Sequence, residues 1–176
     1  MMAESERLVN VIQGEFKISN EPETVLSTVL GSCVAVCLAD PEAGIGGMNH
    51  FLLPQRAGKE GENVRYGAYS MELLINGLLK QGARKSSLVA KLFGGANMIS
   101  QFRNIGGSNV AFAKDFLQSE AIPLASESTG GTSARRIRFW PVNGRVKQFV
   151  VPGDIESVAP VARPFAAPST GEITLF

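Results

Sequence analysis

The stretch that decides the fold covers residues 24–53 and reads TVLSTVLGSCVAVCLADPEAGIGGMNHFLL. Its apolar and β-branched runs are short, and they are separated by Gly31 and by an Asp-Pro pair at 40–41. This is the pattern of buried strands joined by turns. We therefore predict three consecutive strands here, over Thr24–Leu30 and over residues 33–38 and 45–53.

The second and third of these strands are expected to form a hairpin. The segment Asp-Pro-Glu-Ala-Gly between them suits a type I turn, and its glycine can adopt the left-handed conformation that returns the chain. A loop over 41–42 would place Cys33 directly opposite His50, whereas a loop over 41–44 would leave the two residues diagonal, at about 7–8 Å. In both registers Cys33, Cys37 and His50 share one face of the sheet, because side chains alternate along strands.

The remaining pattern predicts two helices among further strands, and therefore an α/β domain with mixed or antiparallel sheets. Helical spacing of apolar residues indicates helices over 66–81, with Asn63 as the cap, and over 108–119. Strand patterns occupy residues 8–19 (broken at Gly14), 88–93, 137–140 and 146–151, the last two flanking the hairpin signal Asn143-Gly144.

The composition changes at residue 153, where a segment rich in proline and alanine begins. Such a composition is typical of a linker or tail. We accordingly assign residues 1–152 to one domain and residues 153–176 to a C-terminal tail. The acidic and apolar end of this tail is expected to be disordered or to add an edge strand, and a docking role is the least favoured reading.

Charge and hydropathy exclude several classes of function. The chain has 176 residues, 44% of them apolar, and a formal net charge of +1. A nucleic-acid or membrane-surface protein would carry a clear basic excess, and no apolar run approaches the about 20 residues that span a bilayer. The N-terminus is polar and unlike a secretory signal. We expect a soluble, cytoplasmic protein that binds no nucleic acid and does not insert into membranes.

The residues best suited to chemistry are one thiol and the single histidine of the chain. Cys33 and Cys37 are four residues apart, about 13 Å on a strand, so they cannot form a disulfide. Cys33 stands at the entrance of its strand, where a thiol can act as nucleophile with His50 as acid–base partner. Cys37 lies among apolar neighbours and is interpreted as a packed core thiol.

A Cys–His reaction centre needs supporting groups as well as the pair. A neighbouring imidazole would shift the thiol toward its thiolate. The hydroxyls of Ser27 and Thr28 are both candidates for orienting the ring of His50. Backbone N–H groups around Ser32 and Cys33 are candidates for an oxyanion site. This chemistry requires no cofactor, and we predict neither a cofactor nor a metal site.

Two glycine segments are candidates for the surface that contacts substrate, because glycine permits close backbone approach. Neither has the lysine and hydroxyl residue of a phosphate-binding loop. The candidate residues are Gly94, Gly95, Asn97, Thr129, Gly130 and Gly131. The basic residues of the last hairpin are interpreted as solvated charges that discourage edge aggregation; they are Arg135, Arg136, Arg138, Arg145 and Lys147.

Four motifs in order resemble the signature of the chemoreceptor glutamine deamidases, the CheD family. The resemblance covers residues 8–152. The motifs are LGSCVAVCL with DP at 30–41, GGMNHFLLP at 46–54, KLFGGANM at 91–98, and the later segments IG at 105–106, NV at 109–110 and TGG at 129–131.

The resemblance implies a specific activity. Family members convert glutamine side chains on the cytoplasmic helices of methyl-accepting chemotaxis receptors to glutamate and release ammonia. The family nucleophile matches Cys33 and the family histidine matches His50. The third catalytic residue of the family is a threonine shortly before the cysteine, for which Ser27 and Thr28 both remain possible here.

The resemblance also implies a fold and a partner. The expected fold is a layered α/β/β sandwich, similar to the deamidating domain of certain bacterial toxins. Some family members bind a response-regulator phosphatase of the CheC type. Two other functions remain open from the sequence: a non-catalytic adaptor that binds the phosphatase or the receptor, and a different Cys–His acyl-transfer enzyme such as a receptor methylesterase.

Overall fold

The computed structural model describes residues 5–54, 58–98, 104–152 and 173–176. In these ranges the chain forms two helices, one short 3-10 helix at Lys85–Ser87, and ten strands. The elements are β1 (Arg7–Asn10), β2 (Phe16–Ser19), β3 (Thr24–Leu30), β4 (Val34–Asp40), β5 (Ile45–Asn49), α1 (Glu60–Lys80), β6 (Val89–Gly94), α2 (Ile105–Ser119), β7 (Leu124–Thr129), β8 (Arg135–Trp140), β9 (Arg145–Val150) and β10 (Ile173–Leu175).

The strands divide into two five-stranded sheets. The first has the order β1-β3-β8-β9-β10 and the second has the order β2-β5-β4-β6-β7. Only the pairs β1–β3 and β6–β7 are parallel among the named strands. The predicted α/β class with mixed and largely antiparallel sheets is therefore confirmed.

The alternation of side chains along β4 creates three layers. Val34, Val36 and Leu38 belong to a core that includes α1 and α2, whereas Ala35 and Cys37 belong to a second core between the two sheets. Because β4 is buried on both faces, its sequence is a nearly continuous apolar run. The layers follow the order helices, second sheet, first sheet, as the α/β/β sandwich requires.

The hairpin between β4 and β5 adopts the second of the two expected registers. Cys37 pairs with Met48 and Asp40 pairs with Ile45, so the loop spans residues 41–44. Gly44 has φ +67° and its N–H donates to the carbonyl of Asp40 at 3.0 Å.

Both helices begin earlier than the sequence pattern predicts. Helix α1 begins at Glu60 after Lys59, which makes no side-chain cap, so the prediction of Asn63 as the cap is wrong. Two acidic residues in the first turn of α1 complement the positive helix end instead. Helix α2 begins at Ile105, where Asn104 accepts a hydrogen bond from the N–H of Gly107 at 2.9 Å.

Strand β7 was not expected, and the end of the chain forms part of the first sheet. β10 pairs with β9, and Phe176 packs against Phe93 with ring centroids 5.3 Å apart. Residues 153–172 lie outside the described residues, so the division of the chain at residue 152 stays a prediction.

In the described ranges, neither helix has the length and apolar character that a membrane crossing requires.

Candidate active site

Cys33 lies where the chain enters β4, in a position fixed by a tight backbone contact with β6. The carbonyl of Cys33 accepts a hydrogen bond from the N–H of Gly95 at 2.8 Å, and that of Gly31 accepts one from Ala96 at 2.9 Å. Gly94 has φ +106°, and a Cβ at this position would overlap the carbonyl oxygen of Cys33. Only glycine fits there, so Gly94 and Gly95 hold the backbone of Cys33 in place.

His50 follows β5 and lies on the same sheet face as the thiol. The register Cys37–Met48 continues to the bridge between Val34 and Phe51, which places His50 opposite Ala35. Cys33 is therefore diagonal to His50, on the face that looks toward the first sheet. His50 is almost fully buried, whereas Cys33 is half-buried.

Thr28 and the carbonyl of Val11 orient the imidazole of His50. The Thr28 hydroxyl donates to the Val11 carbonyl at 2.7 Å and lies 2.8 Å from Nδ1 of His50. Nδ1 is also 3.2 Å from that carbonyl. Because the only hydroxyl hydrogen of Thr28 is already donated, both contacts of Nδ1 require a hydrogen on the ring. His50 therefore carries its proton on Nδ1 and has a free lone pair on Nε2.

Ser27 does not take part in this arrangement. Successive side chains of β3 point to opposite faces, so Ser27 and Thr28 cannot both approach His50. The Ser27 hydroxyl is buried and has no hydrogen-bond partner among the described residues. The Nε2 atom of His50 is also buried and has no hydrogen-bond partner among the described residues. An unpaired ring nitrogen of this kind is what a general base requires in order to accept a proton.

Burial keeps both members of the pair uncharged at neutral pH. Desolvation raises the pKa of the Cys33 thiol, an effect that its own backbone N–H partly opposes. Desolvation lowers the pKa of His50, and a hydrogen bond to the Val11 carbonyl opposes this shift. The expected shift of the resting thiol toward thiolate is not found, because loss of hydration outweighs other effects on the sulfur.

The two glycine segments named as candidate substrate surface lie side by side. The N–H of Asn97 donates to the carbonyl of Gly131 at 2.8 Å, and the N–H of Gly130 donates to that of Gly94 at 3.0 Å. Gly95, Asn97, Thr129 and Gly130 line a shallow pocket of about 350 Å³, which α2 closes on one side. Neither Cys33 nor His50 lines this pocket.

Comparison with known proteins decides the family. The family model described as CheD chemotactic sensory transduction matches residues 52–148. The chain belongs to the CheD family. Probable chemoreceptor glutamine deamidases from Rhizobium rhizogenes and Rhizobium leguminosarum are 55% and 54% identical, over 92% and 99% of this chain and 91% and 98% of theirs. The corresponding protein of a Caulobacter species is 52% identical, over 96% of this chain and 92% of its own.

The resemblance that the sequence motifs indicated is thus confirmed, and the enzyme class in the relatives' names is the predicted one. Among solved structures, Bacillus licheniformis hypothetical protein YfiH overlaps with a TM-score of 0.46 at 12% identity, over 70% of this chain and 60% of that one. This overlap is too loose to bear on function.

Asn109 and Arg135 support this site through contacts that the sequence pattern did not predict. Asn109 is fully buried; its side-chain amide donates to the Ser32 carbonyl at 2.9 Å, and its oxygen accepts from the N–H of Leu53 at 3.0 Å. It ties the loop before Cys33 to the chain after His50. An asparagine on the apolar face of a predicted helix was the available signal.

Arg135 corrects the interpretation of the basic hairpin as a set of solvated charges. This side chain is buried, and its guanidinium donates to the carbonyls of Ser128 (2.6 Å) and Gly130. Burial lowers the pKa of Arg135. It supports the glycine loop 129–131 from inside the fold.

The described residues contain no group of three or more histidine, cysteine or acidic side chains that could hold a metal ion.

Proposed function

We propose that this CheD-family chain is a protein-glutamine deamidase, with Cys33 as nucleophile, His50 as acid–base partner and Thr28 as the residue that orients His50. The observation that carries the proposal is the Nε2 of His50, which has no hydrogen-bond partner among the described residues and belongs to a side chain on the same sheet face as Cys33. The relatives' name supports the type of reaction, and the hydrogen bonds of Nδ1 support the role of each residue.

The first half of the reaction forms a thioester. Nε2 of His50 accepts the thiol proton as the sulfur of Cys33 attacks the carboxamide carbon of a glutamine. The carbonyl oxygen becomes an oxyanion, which the N–H groups of Ser32 and Cys33 can stabilise. No backbone hydrogen bond of the described residues outside the strand ladders uses these two groups. His50 then returns the proton to the amide nitrogen, which leaves as ammonia when the carbon–nitrogen bond breaks.

The second half of the reaction releases glutamate. Nε2 of His50 accepts a proton from water, which attacks the thioester carbon, and the sulfur of Cys33 leaves with a proton returned by the imidazole. Thr28 and the Val11 carbonyl stabilise the protonated ring by accepting or sharing the hydrogen on Nδ1. The glutamine nitrogen has left as ammonia, and water supplies the new oxygen.

Family membership supports a proposal for the substrate class, the location and a partner. We infer that the substrates are glutamines on the cytoplasmic helices of chemoreceptors, so the enzyme acts in the cytoplasm. The surface that receives such a helix would include the glycine segments at 94–97 and 129–131, which permit close approach of a backbone. A CheC-type phosphatase as regulatory partner remains part of this proposal.

The test is conversion of receptor glutamines by the purified protein. Incubation with a receptor cytoplasmic fragment should produce a mass gain of about one dalton per modified site, because OH replaces NH₂. Cys33→Ala and His50→Ala should abolish the gain. Cys37→Ala is the matched control, since it removes the other thiol and should retain activity. Conversion by Cys33→Ala or His50→Ala would contradict the proposed mechanism.

Two further experiments separate the other functions that the sequence leaves open. An adaptor would retain its effect on chemotaxis in Cys33→Ser, whereas a deamidase would lose it. A methylesterase would release methanol from a methyl ester and no ammonia from glutamine, and a transglutaminase-like enzyme would release ammonia only when an acceptor amine is supplied.

A further inference from the structure

A glutamine of the chain itself lies at the nucleophile. Cys33 donates its S–H hydrogen to Oε1 of Gln13, with sulfur and oxygen 3.5 Å apart. Gln13 is exposed to solvent and belongs to the connection between β1 and β2. Contacts up to about this length are ordinary for a thiol donor, whose sulfur is larger than nitrogen or oxygen.

A tight turn holds Gln13 in this place. The N–H of Glu15 donates to the carbonyl of Ile12 at 3.0 Å, and Gly14 has φ +90°. These features define a type II turn with Gln13 at its second position and glycine at the third, where a positive φ is required.

The backbone of His50 holds the last two residues of this turn. The N–H of Gly14 donates to the carbonyl of His50 at 2.8 Å, and the N–H of His50 donates to the carbonyl of Glu15 at 3.1 Å. Just before the turn, the Val11 carbonyl accepts the Nδ1 hydrogen of the same histidine. The segment 11–15 and the candidate general base therefore form one rigid unit, and Gln13 is presented to Cys33 from it.

The thiol hydrogen cannot serve two acceptors at once. While Cys33 donates to Gln13, that hydrogen is not available to Nε2 of His50, which has no partner among the described residues. A hydrogen bond to the amide oxygen also differs from the approach of sulfur to the amide carbon that cleavage requires. The contact thus describes a resting state in which a carboxamide is bound but is not attacked.

We propose that Gln13 is an internal glutamine analogue, which occupies the substrate's carboxamide position in the free enzyme and must be displaced by the incoming glutamine. This inference rests on the proposed deamidase function and adds a regulatory element to the same site. Gln13 lowers the reactivity of the free thiol, and the loss of its hydrogen bond accompanies substrate binding.

The test compares Gln13→Ala and Gln13→Glu with the wild-type protein and with Gln118→Ala, which removes another exposed glutamine far along the chain. Two measurements are made: the rate at which iodoacetamide alkylates Cys33, and the steady-state kinetics (kcat and KM) with a receptor cytoplasmic fragment. Iodoacetamide is suitable because it carries a carboxamide itself and needs no receptor.

Gln13→Ala should raise the alkylation rate and lower KM, each by about 2- to 10-fold, with little change in kcat, because one competing hydrogen bond is lost. Gln13→Glu should slow alkylation below the wild-type rate, since a carboxylate accepts the thiol hydrogen more strongly. Gln118→Ala should match the wild type in both measurements.

Unchanged alkylation and KM in Gln13→Ala, with intact deamidation of the receptor, would overturn the Gln13 proposal alone. A fall in kcat in this variant would also overturn it, because that result would assign Gln13 to the transition state. If the wild-type protein does not deamidate the receptor at all, the proposed function fails, and the inference that rests on it fails as well.

Discussion

The two cysteines of this chain are only four residues apart, yet they lie in opposite environments. Both belong to the face of the second sheet that looks toward the first. Cys33 stands at the edge of the core, half-buried, and its thiol donates to Gln13. Cys37 is fully buried opposite Lys91 in the neighbouring strand. Reactivity here depends on the position along the strand and not on the face alone.

The two thiols also differ in how strongly burial shifts their pKa. Desolvation raises the pKa of both thiols, and the shift is far larger at Cys37, where the charge of Lys91 opposes it only in part. A thiolate at Cys37 would lie in a closed apolar environment, whereas one at Cys33 can be solvated or paired. We therefore expect the deeper thiol to be unreactive and the shallower thiol to react once a base accepts its proton.

The largest expected effect is selective alkylation. Iodoacetamide should modify Cys33 in the folded protein at least about 10³-fold faster than Cys37, because Cys37 becomes accessible only when the fold opens. Peptide mass mapping after graded exposure measures both rates, and denaturant should make them similar. Equal labelling in the folded protein would contradict the assigned burial of Cys37.

The second prediction compares two adjacent hydroxyls on β3. Thr28→Val should lower kcat for receptor deamidation by about 10- to 100-fold, because Nδ1 of His50 loses the oxygen that helps to fix its tautomer. Thr28→Ser keeps the hydroxyl and should retain most of the activity. Ser27→Ala should leave kcat within about twofold, since its hydroxyl has no partner among the described residues. The reverse order of effects would assign the orienting role to Ser27.

The third prediction is a pH dependence. Alkylation of Cys33 should rise about tenfold per pH unit and reach its midpoint above the ordinary thiol pKa of 9.0, because burial raises the pKa of this thiol. The pKa of His50 is lowered from its ordinary 6.5, so kcat/KM should fall only below pH 6.5, where the imidazole becomes protonated. A rate plateau at acidic pH would instead indicate a preformed thiolate–imidazolium pair.

The smallest expected effect concerns the core thiol. Cys37→Ala should reduce the free energy of unfolding by about 1–2 kcal/mol, because a small buried side chain is removed from the core between the sheets. Deamidation should persist within about twofold. Urea denaturation and the receptor assay measure these quantities, and a loss of activity larger than tenfold would give Cys37 a part in the chemistry.

Local sequence signals predicted the parts of the fold that local chemistry determines. Asp40-Pro41 and Asn143-Gly144 specify their turns through the backbone preferences of these residues, and both hairpins form where they were expected. The alternation of side chains along β4 and β5 was also sufficient to predict that Cys33 and His50 lie on the same sheet face. Turn length was ambiguous in the sequence, so the choice between the two registers needed the structure.

The features that the sequence did not predict depend on contacts between segments that are distant in the chain. β7 reads LASEST and has little apolar character; it is stabilised by parallel pairing with β6. The choice between Ser27 and Thr28 depends on which face of the first sheet meets His50. The contacts of Arg135 and Gln13 join separate segments of the chain. Such contacts form only in the folded chain, so a local sequence pattern does not predict them.

The carbonyl of Val11 affects how the site responds to mutation. A main-chain oxygen shares in setting the tautomer of His50, and every amino acid offers the same oxygen. Point substitutions at residue 11 therefore leave this contact available, provided the core tolerates the new side chain. Insertion or deletion of one residue between β1 and β2 would move the oxygen itself. We therefore expect this site to be more sensitive to a change in the length of the loop between β1 and β2 than to a substitution at residue 11.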